Sequence, residues 1–237
     1  MAGNLRRYMA WQFKDFARER GIALLIIGLL IGSMTIAPFR IMRMSFDADS
    51  ATRILGIALQ QVVFIAAVIA LNGLVSNDRK MGYFRFLFSK PVSIPSFYTQ
   101  LFVVNFTGFL VVFAILLGAF GLAVRPVSPV AALTYCALVY LSLGGIAFCI
   151  SSLFRHDWPI LAAVLLGSSL LHSIWETREG WRRMVLSILP PLHKLTPALS
   201  DILSGGKANP TDVFWLLGYS ATFFVAGLIV LRRRPFA

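Results

Sequence analysis

Three histidines, two cysteines and ten acids are the side chains of this 237-residue chain best suited to bind a metal, act as nucleophile or move a proton. The histidines, His156, His172 and His193, stand on separate segments without the H-E-x-x-H or Cys/His spacing of a zinc site. Cys136 and Cys149 share one apolar block at a separation that puts them on different helix faces, which argues against a disulfide. No G-x-x-x-x-G-K-[ST] loop is present, so the chain does not cradle ATP phosphates in the P-loop manner. No Ser/His/Asp set shares one face, although a membrane enzyme could assemble one from distant segments. The spacing therefore points to a chain without catalysis, resident metal or directly bound cofactor.

The elements that carry these residues are apolar blocks. Hydrophobic residues make up 58% of the chain and charged ones 14%, against about 45–50% and 25% in soluble domains. Six stretches without Asp, Glu, Lys or Arg, at about 22–39, 54–75, 101–124, 130–154, 159–175 and 213–231, are long enough to cross a bilayer. A charge at the centre of such a helix costs roughly 2.5–3.5 kcal/mol, so the exclusion is informative. Lipid leaves backbone groups no partner, and the blocks lack barrel-strand alternation. The sequence thus predicts an all-α integral membrane protein, a single transmembrane domain over 1–237 with six transmembrane helices. The first block follows a charged stretch of about twenty residues and is too long for the core of a cleavable signal peptide.

An even number of spans puts both termini on one side. With both inside, the cytoplasmic segments hold 13 Lys/Arg and the outer ones 9, which favours cytoplasmic N- and C-termini. The net charge of +12 suits nucleic acid in principle, but the basic residues hug the block ends, where they face lipid headgroups. Within the spans, Gly28/Gly32 and Gly218/Thr222/Ala226 form small-residue rows that let helices approach closely. Gln60, Gln61 and Asn105 are polar groups at membrane depth, suited to interhelical hydrogen bonds or to a translocation path.

Residues 5–20 read as an amphipathic helix, with Leu5, Tyr8, Met9, Phe13 and Phe16 on one arc and Arg7, Lys14 and Arg18 opposite. Trp11 joins Arg7, Lys14 and Arg18 as a candidate for contact with lipid or a soluble partner. The stretch 76–100 is too long for a minimal turn. It opens on Asn77-Asp78-Arg79-Lys80 and continues through Gly82, Tyr83, Phe84, Arg85, Phe86 and Phe88 to Pro91. Ser93 or Ser96 then caps a short new helix, with Pro95 in its first turn. Residues 176–212 are too broken to span, and Trp175 and Trp181 suit an interface, so a short helix or half-hairpin in the outer leaflet is expected.

Six spans, an N-terminal amphipathic helix, a cytoplasmic segment before span three and a broken outer segment before span six resemble an ABC-2 type transporter permease. The local match is Asp78-Arg79, Gly82, Arg85, Leu87, Ser89 and Pro91-Val92-Ser93, followed by Phe97-Tyr98. Leu231-Arg232-Arg233-Arg234-Pro235 is similar to the family's basic C-terminus. Tyr83, Pro95 and Gln100 depart from the family pattern.

The resemblance implies a membrane-spanning subunit of an ATP-driven exporter in the plasma (bacterial inner) membrane. Two permease copies, identical or not, would form the path, with two ABC ATP-binding subunits holding ATP and Mg below. Residues 89–98 would be the coupling helix and 5–20 the connecting helix. The site residues so implied are Asp78, Arg79, Gly82, Arg85, Ser89, Pro91, Val92, Ser93, Phe97 and Tyr98. Partners would include membrane lipids and no nucleic acid. Leu203-Ser204-Gly205-Gly206-Lys207 resembles the signature of ABC ATPase subunits, but without a P-loop it reads as a helix stop and turn. The alternatives are a membrane-embedded lipid-modifying enzyme, disfavoured by spans with no acid and one histidine, and a scaffold or assembly protein.

Overall fold

A computed structural model describes residues 2–41, 48–82, 93–124, 128–175, 181–205 and 208–233. Regular structure among them is helical: α1 (Ala2–Phe16), a π-turn (Ala17–Gly21), α2 (Ile22–Ile41), α3 (Ala48–Leu71), α4 (Ser76–Lys80), α5 (Ile94–Ala123), α6 (Pro129–Leu153), α7 (Asp157–Trp175), α8 (Trp181–Ile188), a 3₁₀ turn (Leu192–Lys194), α9 (Leu195–Leu203) and α10 (Pro210–Arg233). Six helical stretches are long and apolar enough to cross a membrane, Tyr8–Pro38, Thr52–Lys80, Ile94–Ala123, Pro129–Leu153, Asp157–Trp175 and Pro210–Arg233. They coincide with the six charge-free blocks, because a continuous apolar run in lipid satisfies its backbone only as a helix.

The chain forms two compact units, Met1–Ala70 with Thr99–Tyr140 and Leu199–Lys207, and Leu71–Tyr98 with Leu141–Ala198 and Ala208–Ala237. In the first, Tyr140 is fully buried, and the rings of Phe102, Phe106 and Phe109 surround it at 5.5, 5.3 and 5.1 Å. Centroid separations of about 4.5–7 Å are the favourable range for aromatic pairs. Gly108 leaves a slot for Phe16: a Cβ there would lie 2.4 Å from the Phe16 ring. That slot seats the end of α1 on α5.

In the second unit the last part of α6 packs on α10. The Ser220 hydroxyl accepts from the Gly145 N–H at 2.9 Å and donates to the Leu141 carbonyl. Those two backbone groups are i and i−4 partners, so Ser220 enters the α6 ladder from outside, as hydroxyls do at helix crossings in membranes. Further along, Gly227 meets Phe148. The contact row on α10 is thus Leu216, Ser220, Gly227 and Leu231, all buried. The predicted row Gly218, Thr222, Ala226 is not this contact: Gly218 and Thr222 are exposed and nothing lies within 4 Å of a Cβ at Gly218.

Helix α9 stops at Leu203, and Gly205 takes a left-handed conformation, φ +77°. This is the stop and turn expected from Leu203-Ser204-Gly205. Cys136 and Cys149 are both free and buried. The broken segment after α7 holds α8, the 3₁₀ turn and α9, with Pro190 and Pro191 between α8 and the 3₁₀ turn. There the Ser168 hydroxyl donates to the Pro190 carbonyl at 2.9 Å, and Lys194 pairs with Asp212.

Candidate functional site

The segment that begins at Leu71 belongs to the second unit and is fixed there by polar contacts from both sides. Helix α3 ends at Leu71, and Gly73 turns the chain at φ +72°. The turn carries three buried N–H groups, at Gly73, Val75 and Ser76, which must find acceptors. Asp157, the first residue of α7 and only 3% exposed, accepts from Gly73 at 3.0 Å. Ser151, near the end of α6, accepts from both Val75 and Ser76 at 3.0 Å. A single hydroxyl with two lone pairs thus anchors two successive amides.

Helix α4 follows, and Asp78 on it accepts from the Tyr98 hydroxyl at 3.0 Å. Tyr98 is fully buried and stands edge-on to Phe97, ring centroids 5.3 Å apart. Arg79 is half-buried on the same helix as Asp78. Gly82 ends α4 in the left-handed region, φ +70°, where a side chain would be strained. Asn77, Lys80 and Met81 are exposed beside these anchors.

Of the predicted coupling residues, Asp78, Phe97 and Tyr98 therefore belong to one packed cluster in this unit, while Arg79 is half-buried on α4 and Gly82 is exposed at the end of that helix. Arg85, Ser89, Pro91 and Val92 lie outside the described residues. Ser93 precedes α5, its carbonyl accepting from the Phe97 N–H at 3.0 Å, and Pro95 sits in the first turn as expected. The helix they start is not short: Ile94–Tyr98 is continuous with span three through Ala123. Nothing between Tyr98 and Leu101 breaks the register, and Gln100 is itself buried. Phe97 and Tyr98 consequently face the core rather than a docking surface.

The N-terminal residues form a second arrangement, in the first unit. Trp11, Lys14 and Arg18 are exposed, whereas the side chain of Arg7 lies outside the described residues. Phe16 and Gln12 are buried, while Met9 and Phe13 of the predicted apolar arc are exposed. The residue that sequence reasoning missed is Arg20. From the π-turn its guanidinium donates to the Ala70 carbonyl at 2.8 Å and to Asn105 Oδ1 at 3.3 Å. Asn105 in turn donates to the Leu101 carbonyl at 2.9 Å. Ala70 lies in the last turn of α3, where carbonyls lack intrahelical donors and a cation is favoured. Arg20 thereby ties α1, α3 and α5 together, with Asn105 as one of its two acceptors.

Replacing Arg20 with Ala removes two charge-assisted bonds, each worth about 1.5–3 kcal/mol. A fall in melting temperature of the purified chain is expected, with Arg20→Lys intermediate because lysine keeps a cation and its donors at the site but its ammonium is more strongly hydrated and costlier to desolvate. Thermal unfolding in mild detergent checks the order wild type, Lys, Ala.

Gln60 and Gln61 are exposed on α3. His172 and His193 come together, ring centroids 4.1 Å apart, which the sequence did not reveal. No group of three or more His, Cys, Asp or Glu that could hold a metal occurs among the described residues. No family model matches this chain, and no curated protein or solved structure matches it either.

Proposed function

We propose that the chain is the membrane-spanning permease subunit of an ATP-driven ABC-2 type exporter in the plasma (bacterial inner) membrane, with cytoplasmic termini and without catalysis of its own. The observation that carries this reading is the anchoring of the 72–82 and 93–98 stretches. A segment that transmits motion from a soluble motor must not yield before the bundle does. Here its flanks are held by Asp157, Ser151 and the Asp78–Tyr98 bond, while Asn77, Lys80 and Met81 remain exposed. Coupling then works as differential binding: the nucleotide-driven state of two ATP-binding subunits, which hold ATP and Mg, favours one arrangement of the bundle over the other.

Two further features support a paired assembly. Gln60 and Gln61 stand exposed in the middle of a span, and uncovered amides in hydrocarbon are costly. A second permease copy or a hydrated path between two copies gives them partners. The exposed Trp11, Lys14 and Arg18 of α1 suit a connecting helix at the headgroup level.

The test is a mild-detergent pull-down of the tagged chain from its native membranes, with mass spectrometry and an ATPase assay. A stoichiometric ATP-binding subunit is expected. Arg85→Ala is expected to lower its recovery and the ATPase activity several-fold while the permease stays folded. A chain that purifies without an ATPase overturns the reading.

A further inference from the structure

The end of α7 meets the segment that follows it along one seam in the second unit. Ser168, His172 and Trp175 stand four and then three residues apart and so share one face of α7. Each touches a residue of that segment. The Ser168 hydroxyl, fully buried, donates to the Pro190 carbonyl at 2.9 Å. The ring of His172 lies 4.1 Å from the ring of His193, tilted by 37°. Trp175 stands edge-on to Trp181 at 5.6 Å, with the Arg182 guanidinium 6.0 and 5.7 Å from the two indoles. The outer two contacts keep their charge state at any ordinary pH, and the middle one titrates.

Rings with centres 4.1 Å apart overlap face to face, so their in-plane lone pairs do not converge on one point as a metal ion requires. The chemistry left to the pair is protonation. Histidine, with an ordinary pKa of about 6.5, changes charge close to neutrality. Two neutral imidazoles stack, and one imidazolium on a neutral ring is a cation–π pair. Two imidazolium rings in contact are like charges and repel. The surroundings add to that repulsion. Lys194 follows His193 in the 3₁₀ turn, and Arg182 stands over Trp175, one turn beyond His172. Asp212, in the first turn of α10, is the acid that meets the 3₁₀ turn, and it pairs with Lys194. The side chain of Arg183 on α8 lies outside the described residues. His193 is exposed and outside the spans, which gives protons a way to the pair.

We propose that the His172–His193 stack is an acid-sensitive latch between α7 and the 3₁₀ turn. It is closed while at most one ring is charged, and it releases the turn from α7 when both are. The sign follows from the charges: closed at neutral pH, open in acid. The latch does not depend on the transport reading.

The full chain with Ser169→Cys and Thr196→Cys, both exposed positions beside the seam, carries a pair of nitroxide labels that report its width. Cys136 and Cys149 are buried. In phosphatidylcholine vesicles equilibrated on both faces, the label-to-label distance from pulsed electron resonance is expected to lengthen between about pH 7.5 and about pH 5. His172→Phe keeps a stacked ring that cannot charge, and it is expected to hold the short distance at both pH values. His193→Gln, made at an exposed position that tolerates the change, is expected to abolish the pH dependence. A wild-type distance that does not change with pH overturns the latch. A lengthening in acid that persists in His193→Gln belongs to other groups and overturns it as well.

Discussion

Gly145→Ala is expected to be among the most damaging single substitutions in this chain, although it adds one methyl group. The new Cβ would lie 1.8 Å from the Ser220 carbonyl oxygen and 2.6 Å from the Ser220 carbonyl carbon. Both are backbone atoms of α10, so relief requires moving a helix rather than turning a side chain. The move also breaks the bond from the Gly145 N–H to the Ser220 hydroxyl and disturbs the Gly227–Phe148 contact further along. Overpacking of a close contact costs about 1–3 kcal/mol, and the lost hydrogen bond adds about 1. A destabilisation of about 3 kcal/mol is therefore expected. Gly218→Ala is the control, made on α10 itself where nothing lies within 4 Å, and it is expected to stay within about 0.5 kcal/mol of wild type. Both variants give Ala the same helix preference, so the difference isolates packing. Thermal unfolding of the two purified variants side by side decides it, and equal melting temperatures would sink the account of the α6–α10 contact.

That contrast also explains what the sequence made legible. The spans were readable because exclusion of charge from hydrocarbon acts on each residue alone, with no knowledge of its neighbours. Which face of a span packs is a pairwise property. A row of small residues marks where close approach is permitted, and α10 carries two such rows, Gly218/Thr222/Ala226 and Ser220/Gly227; only the second meets α6. The polar anchors were hidden for a similar reason. Ser151 sits in an apolar block 76 residues from Val75, and serines in such blocks commonly bond their own helix. Asp157, between two apolar blocks and next to His156, has no pattern that marks it as the buried acceptor for Gly73. Arg20 stands just before the first charge-free block, where a cation usually snorkels to the headgroups. The π-turn at Ala17–Gly21, which directs it to Ala70 instead, has no signature in residue type. Gly82 was singled out in sequence, and its positive φ supplies the physical reason for glycine there.

Ser151→Ala is expected to loosen the 73–82 segment without unfolding the bundle. Ser151 is fully buried, and its hydroxyl is the acceptor for two amides, those of Val75 and Ser76. Alanine fits the space but leaves both N–H groups without an acceptor. An orphaned buried donor costs about 1–3 kcal/mol, so at least about 2 kcal/mol is lost from the closed segment. At 1.4 kcal/mol per factor of ten, local opening rises roughly 30-fold. Amide exchange at Val75 and Ser76 is the direct readout, with Ala147 on α6 as the reference expected to stay protected. Ser152→Ala separates anchoring from a general effect of losing a hydroxyl. Ser152 is equally buried, but it donates to the Phe148 carbonyl of its own helix at 2.8 Å, so its loss leaves no amide without a partner. If the transport reading holds, Ser151→Ala also lowers substrate export per ATP hydrolysed while the ATPase still binds, because a slack segment absorbs motion it should transmit. Unchanged exchange at Val75 and Ser76 in Ser151→Ala would remove the anchor on which that coupling argument stands.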